Sequence, residues 1–137
     1  MNTPLTDEMR QRLVTLANEA RKHAYAAYSN YQVGAALLTR SGKIFTGCNV
    51  ENAAYPDSMC AERVAVFKAV SEGEREFAAI AVVTSNGDTP CGSCRQVLAE
   101  FGLEITVLIA DSEGMVCQEC SLAELLPGAF GPGDLGK

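Results

Sequence analysis

Two short stretches constrain this chain more than any others: Cys60-Ala61-Glu62-Arg63 and Pro90-Cys91-Gly92-Ser93-Cys94. Together they supply three thiols and one carboxylate at short spacing. Three thiolates hold a zinc ion and leave its fourth position open, the pattern of a catalytic centre rather than a closed structural one. Glu62 stands two residues after Cys60, within reach of a water at that open position, and reads as a proton carrier. The remaining residues are expected to form a frame that brings the two motifs together.

The apolar pattern predicts that frame. Thr6 reads as an N-cap, with Asp7 and Glu8 in the first helical turn, where the dipole favours negative charge. Met9, Leu13, Leu16, Ala17, Ala20 and Ala24 repeat at helical spacing. Arg21, Lys22 and His23 fall in the last turn, and His23, the only histidine, reads as a solvated or capping residue. Val33–Leu38 and Ile44–Cys48 flank Ser41-Gly42 and predict a hairpin. Asn49–Met59 is a polar loop carrying Tyr55. Cys60–Glu72 predicts a helix with Val64, Phe67, Ala69 and Val70 inward, stopped at Gly73. Phe77–Thr84 is a near-continuous apolar run and reads as a buried central strand. Cys91–Phe101 predicts a second helix, with Val97, Leu98 and Phe101 inward. Ile105–Ala110 is another buried strand. A turn at Asp111–Gly114 and a short antiparallel strand, Met115–Gln118, follow. Ser121 and Glu124 form a capping box on a last short helix that Pro127 ends. The order α-β-β-α-β-α-β-β-α implies an α/β fold, a three-layer α/β/α sandwich on a mixed five-stranded sheet. No repeat or linker divides residues 1–137, so one domain is expected.

Charge and composition exclude some partners. The net charge is −6 and the eleven Lys and Arg form no run or stripe. A nucleic-acid binder needs such a footprint, so a small neutral substrate is expected instead. The longest apolar run, Phe77–Val83, is too short to cross a bilayer. Met1–Arg10 lacks the apolar segment of a secretory signal, so a cytoplasmic location is expected. In that reducing compartment six cysteines point to metal or chemistry rather than disulfides.

A second pair, Cys117-x2-Cys120, follows Cys94 after twenty-two intervening residues and offers a rival reading as a closed four-cysteine zinc site. The first pair opens an amphipathic helix rather than a zinc-ribbon knuckle, and the second lies at a strand-to-helix junction. The rival also leaves Cys60-Ala61-Glu62 without a role. Cys48, Cys117 and Cys120 then read as small buried residues or free thiols. In the open-site reading, both helix N-termini converge at one end of the sheet, where their partial positive charge favours thiolates. Zinc with three thiolates carries a net charge of −1, a poor Lewis acid. Arg63 is well placed to offset that charge.

These residues have a recognisable company. Cys60-Ala61-Glu62 followed by Pro90-Cys91-x-x-Cys94 is the zinc deaminase signature in its all-cysteine form. Val33–Leu37, Gly47–Ala53, Cys60–Arg63, Cys91–Gln96 and Glu124–Phe130 resemble the small homotetrameric cytidine deaminases along nearly the whole chain. That resemblance implies hydrolytic deamination of cytidine and 2′-deoxycytidine to uridine and 2′-deoxyuridine, in pyrimidine salvage. It implies zinc on Cys60, Cys91 and Cys94, one ion per subunit. Glu62 is implied to shuttle a proton from the zinc-bound water to ring N3 and then to the leaving amine, as hydroxide attacks C4. Asn49 and Glu51 are implied to hold the ribose 3′-hydroxyl. Tyr31 stands where the family usually stacks phenylalanine on the base, so its hydroxyl needs a partner. Ala53 and Tyr55 are implied near the 5′-hydroxyl across a subunit boundary. Phe130, in a tail over about 128–137, is implied to reach a neighbouring subunit's site, making a homotetramer with composite sites.

Overall fold

The computed structural model describes residues 5–137; residues 1–4, the beginning of the polar stretch Met1–Arg10, lie outside them. The element order is α1 (Asp7–Arg21), β1 (Gly34–Thr39), β2 (Ile44–Cys48), α2 (Ala61–Ser71), β3 (Phe77–Val83), α3 (Gly92–Ala99), β4 (Thr106–Ala110), β5 (Val116–Ser121) and α4 (Leu122–Leu125). Thr6 caps α1 by accepting from Met9 N at 3.1 Å. Ser121 and Glu124 form the expected capping box on α4.

The strands make one five-stranded sheet in the order β2-β1-β3-β4-β5. β1 pairs antiparallel with both β2 and β3, so β2 and β3 run in the same direction. β3 and β4 are parallel, and β5 returns antiparallel to β4. Alternate residues of the buried strands serve two cores. Leu37, Ile80, Val82, Val107 and Ile109 pack with Ala65, Val66 and Ala69 of α2, Leu98 of α3 and Leu122 of α4. Ala36, Leu38, Ala81, Val83 and Leu108 pack on the opposite face with Leu13, Val14 and Ala17 of α1. The result is the expected α/β/α sandwich.

Two glycines let helices approach the sheet. A Cβ on Gly34 would lie 1.9 Å from Ala17 O in α1. One on Gly47 would lie 2.4 Å from Ala61 O and 2.7 Å from Ala65 N in α2. This closeness corrects the expected inward face of α2. Ala61, Ala65, Val66 and Ala69 are buried, Val64 and Val70 are half-buried, and Phe67 is 46% exposed. Only small side chains fit where backbone approaches backbone. β5 also runs further than expected, to Ser121, because its backbone pairs with β4 although its side chains are mostly polar and exposed. α1 ends at Arg21, leaving His23 exposed beyond it.

Candidate active site

Topology brings the two cysteine motifs together. α2 follows β2 and α3 follows β3, and the two strands are parallel, so both helices start at the same end of the sheet. Cys60 is the N-cap residue of α2 and Cys91 that of α3, both with extended backbone. Cys94 lies in the first turn of α3 and is buried. Cys91 Sγ is 3.4 Å from Cys94 Sγ and 4.0 Å from Cys60 Sγ, and all three sulfurs lie within 4.8 Å of one another. Sulfurs about 2.3 Å from a tetrahedral zinc ion stand roughly 3.8 Å apart, so three free thiols at these distances fit that metal. Among the described residues no other cluster of three or more such groups could hold an ion.

The local electrostatics favour thiolate at Cys60. Cys60 is held down to about 5 by the hydrogen bond from Cys94, against burial, with Arg63 adding to the effect. Arg63 Nη2 donates to Cys60 Sγ at 3.2 Å. Cys94, as donor to Cys60 and itself buried, is pushed upward. Arg63 Nε is buried without a hydrogen-bond partner, a donor whose desolvation costs stability until an acceptor meets it. Glu62 is 4% exposed, and burial raises its carboxyl above the usual range, with the Cys60 charge adding to the rise. Such a group holds a proton more readily than a surface carboxylate does.

These groups open onto a cavity of roughly 530 Å³, a size suited to a small molecule. Cys60, Cys91, Glu62, Arg63, Tyr31, Asn49, Glu51 and Tyr55 all line it. Asn49 and Glu51 thus point the same way, two residues apart on an extended segment. Asn49 is buried; its Oδ1 accepts from Val33 N and its Nδ2 donates to Tyr31 O, each at 2.9 Å. Glu51 accepts from Tyr28 N at 3.0 Å, Ser29 N at 2.9 Å and the Ser29 hydroxyl. The Ser29 bonds hold its carboxyl below the usual range. The Tyr31 hydroxyl finds Asn86 Oδ1 at 2.8 Å and Asp88 Oδ2 at 2.9 Å. Tyr55 is exposed at the rim, edge-on to Tyr28 with ring centroids 6.3 Å apart.

Ala53 and Phe130 do not line this cavity. Ala53 is exposed, and Phe130 is 57% exposed beside the end of α3, where its carbonyl accepts from Gln96 Nε2 at 2.8 Å. The rival pair is separated: Cys117 and Cys120 lie three apart on β5, on opposite faces of the strand, the first exposed and the second buried. Thr84, Asp88 and Ser29 also line the cavity, although the sequence reading did not single them out. One available signal was Thr84's position at the carboxyl end of a central strand, where α/β sheets bind ligands.

The cytidine and deoxycytidylate deaminase zinc-binding region matches residues 7–110. A cytidine deaminase of Sporosarcina psychrophila is 48% identical over 128 residues, covering 91% of this chain and 93% of the relative. One from Halalkalibacterium halodurans is 49% identical over 129 residues, covering 92% and 97%. The crystal structure of cytidine deaminase from Burkholderia pseudomallei superposes with a TM-score of 0.84 at 48% identity, covering 91% of this chain and 99% of that one.

Proposed function

This chain belongs to the cytidine and deoxycytidylate deaminase family, and we propose that it hydrolyses cytidine and 2′-deoxycytidine to uridine and 2′-deoxyuridine, releasing ammonia. The observation that carries the reading is the buried Glu62 beside three converging thiols, in a cavity that Asn49 and Glu51 also line. Cys60, Cys91 and Cys94 would hold zinc. When bound, zinc acidifies a water, bringing its pKa from about 15.7 down toward 7.

The chain's own residues do the rest. Glu62 takes one proton of the attacking water and delivers it to ring N3. It then takes the second, from the hydroxyl newly formed on C4, and passes it to the leaving amine, so that the C4 carbonyl forms as ammonia departs. The burial of Glu62 supports this, because a carboxyl raised above the usual range takes up a proton more readily than an exposed carboxylate does. Arg63 and the two helix N-termini offset the charge of the thiolates. Tyr31 forms a wall of the base slot. Asn49 and Glu51 receive the ribose 3′-hydroxyl, and Glu51's charge disfavours a 3′-phosphate. Its bonds to Ser29 and Tyr28 orient the carboxylate and occupy three of its roughly four acceptor sites, leaving one on Oε2 for a hydroxyl.

The reading extends to the assembly. Residues 1–137 form a single domain, and copies of it form a homotetramer in which Phe130 and Ala53 complete neighbouring sites, while Tyr55, at the rim of the chain's own cavity, lies at the subunit boundary. The exposure of these side chains, and the absence of Ala53 and Phe130 from the chain's own cavity, support this. The place of action is the cytoplasm, in pyrimidine salvage; among the described residues no helix is long and apolar enough to cross a membrane. The test is ammonia release from cytidine, deoxycytidine, cytosine and CMP, with zinc measured in the same sample. Turnover of the two nucleosides is expected. Fully zinc-loaded protein inert toward both would refute the reading.

A further inference from the structure

The base-facing wall of the cavity is tied together by a contact between distant segments. Tyr31 lies before β1, whereas Asn86 and Asp88 lie in the loop that leads from β3 to Cys91. The phenol has one proton for two acceptors, at 2.8 Å and 2.9 Å. The charged Asp88 makes this stronger than a neutral pair. Burial pushes Tyr31 above the usual phenol range, so it stays a neutral donor at physiological pH. The backbone of Tyr31 is also fixed: its N–H donates to Ser29 Oγ at 3.0 Å, and its carbonyl accepts from Asn49 Nδ2. The ring is therefore pinned at both ends, where a phenylalanine would be pinned at one.

The partner loop is fastened on its other sides. Thr84 Oγ1 accepts from Gly87 N at 2.8 Å and Asp88 N at 2.9 Å. Arg95 donates to Thr89 Oγ1 at 2.9 Å and to Pro90 O at 2.8 Å. Gly87, at φ +74°, packs so closely on Cys117 that a Cβ would lie 2.6 Å from its sulfur. All these contacts hold the loop to its own half of the molecule. The Tyr31 hydroxyl alone among these fastenings reaches the opposite wall.

We propose that Tyr31 is a positioning residue: its hydroxyl, shared by Asn86 and Asp88, latches the wall of the base slot to the loop that delivers Cys91, setting the slot's width before substrate arrives. The kinetic part rests on the nucleoside-deaminase reading. A preorganised slot improves binding, so the latch acts on KM more than on kcat.

The test compares Tyr31→Phe, Asn86→Ala/Asp88→Ala and the triple variant, all zinc-loaded, with Asp88→Asn as the conservative form that keeps two acceptors. Tyr31→Phe and the double variant are each expected to raise KM for cytidine about tenfold, as for loss of one charge-assisted hydrogen bond, with kcat within about twofold. The triple variant is no worse than the double, and Asp88→Asn recovers most of the loss. Amide hydrogen exchange over residues 84–91 speeds about tenfold in Tyr31→Phe, while β1 is unchanged. Unchanged exchange in Tyr31→Phe, or KM losses that multiply in the triple variant, would overturn the latch. Wild-type protein without nucleoside turnover would count against the functional reading alone, because the exchange measurement decides the latch without it.

Discussion

Gly47→Ala is the substitution that most directly connects the packing of this fold to its metal centre. The added methyl carbon would stand 2.4 Å from Ala61 O and 2.7 Å from Ala65 N. Ordinary contact begins near roughly 3.5 Å, so α2 must retreat by about 1 Å. Overpacking of this kind costs about 1–3 kcal/mol, and the upper part of that range applies because the atoms met are backbone. Alanine recovers roughly 0.5–1 kcal/mol by restricting the unfolded chain. The net loss is about 2 kcal/mol, a fall in Tm on the order of 6–10 °C for a chain of this size. Cys60 immediately precedes Ala61, so the retreat also carries a zinc ligand away from Cys91 and Cys94, and zinc binding should weaken about tenfold or more. Thermal unfolding of the metal-free protein gives the first quantity and competition with a chromogenic chelator the second. Gly92→Ala is the control, since a Cβ there meets nothing within 4 Å; it should be neutral or slightly stabilising. Gly47→Ala with wild-type stability and zinc affinity would refute the close-approach argument.

Three further outcomes are expected. Arg63→Gln removes the donor to Cys60 and should lower turnover about tenfold with zinc retained; unchanged turnover and zinc retention would disprove the charge-offset role. Cys117→Ser/Cys120→Ala should keep its zinc, whereas Cys94→Ser should lose it, as measured by metal analysis of purified protein. In metal-free protein, Cys60 is depressed to about 5, so its thiolate predominates above that pH and disappears below it. Alkylation of Cys60 by iodoacetamide, followed by mass spectrometry, should therefore be near its plateau by about pH 6, and Arg63→Gln should move the midpoint upward.

Much of the frame is written locally. The apolar runs that became β3 and β4 are buried on both faces, and such strands need no partner to be recognised. The convergence of Cys60, Cys91 and Cys94 followed from element order, because successive parallel crossovers start their helices at one end of the sheet. What was hidden depends on neighbours distant in sequence. The inward face of α2 is set by Gly47 of β2, so Phe67, apolar and at helical spacing, still faces outward. β5 extends through Gln118 and Glu119 because its backbone pairs with β4, and that extension separates Cys117 from Cys120. The partners of the Tyr31 hydroxyl lie 55 and 57 residues further on, in a loop that local pattern marks only as a turn.

The central claim is that Glu62 carries protons for a zinc-dependent nucleoside deamination. Glu62→Gln preserves the shape of the buried side chain and removes only its capacity to take and return a proton. Measured on protein with zinc content equal to wild type, kcat for cytidine should fall by about 10³-fold or more, within the span of general acid–base catalysis, while KM changes little. Wild-type turnover by zinc-loaded Glu62→Gln would contradict the account.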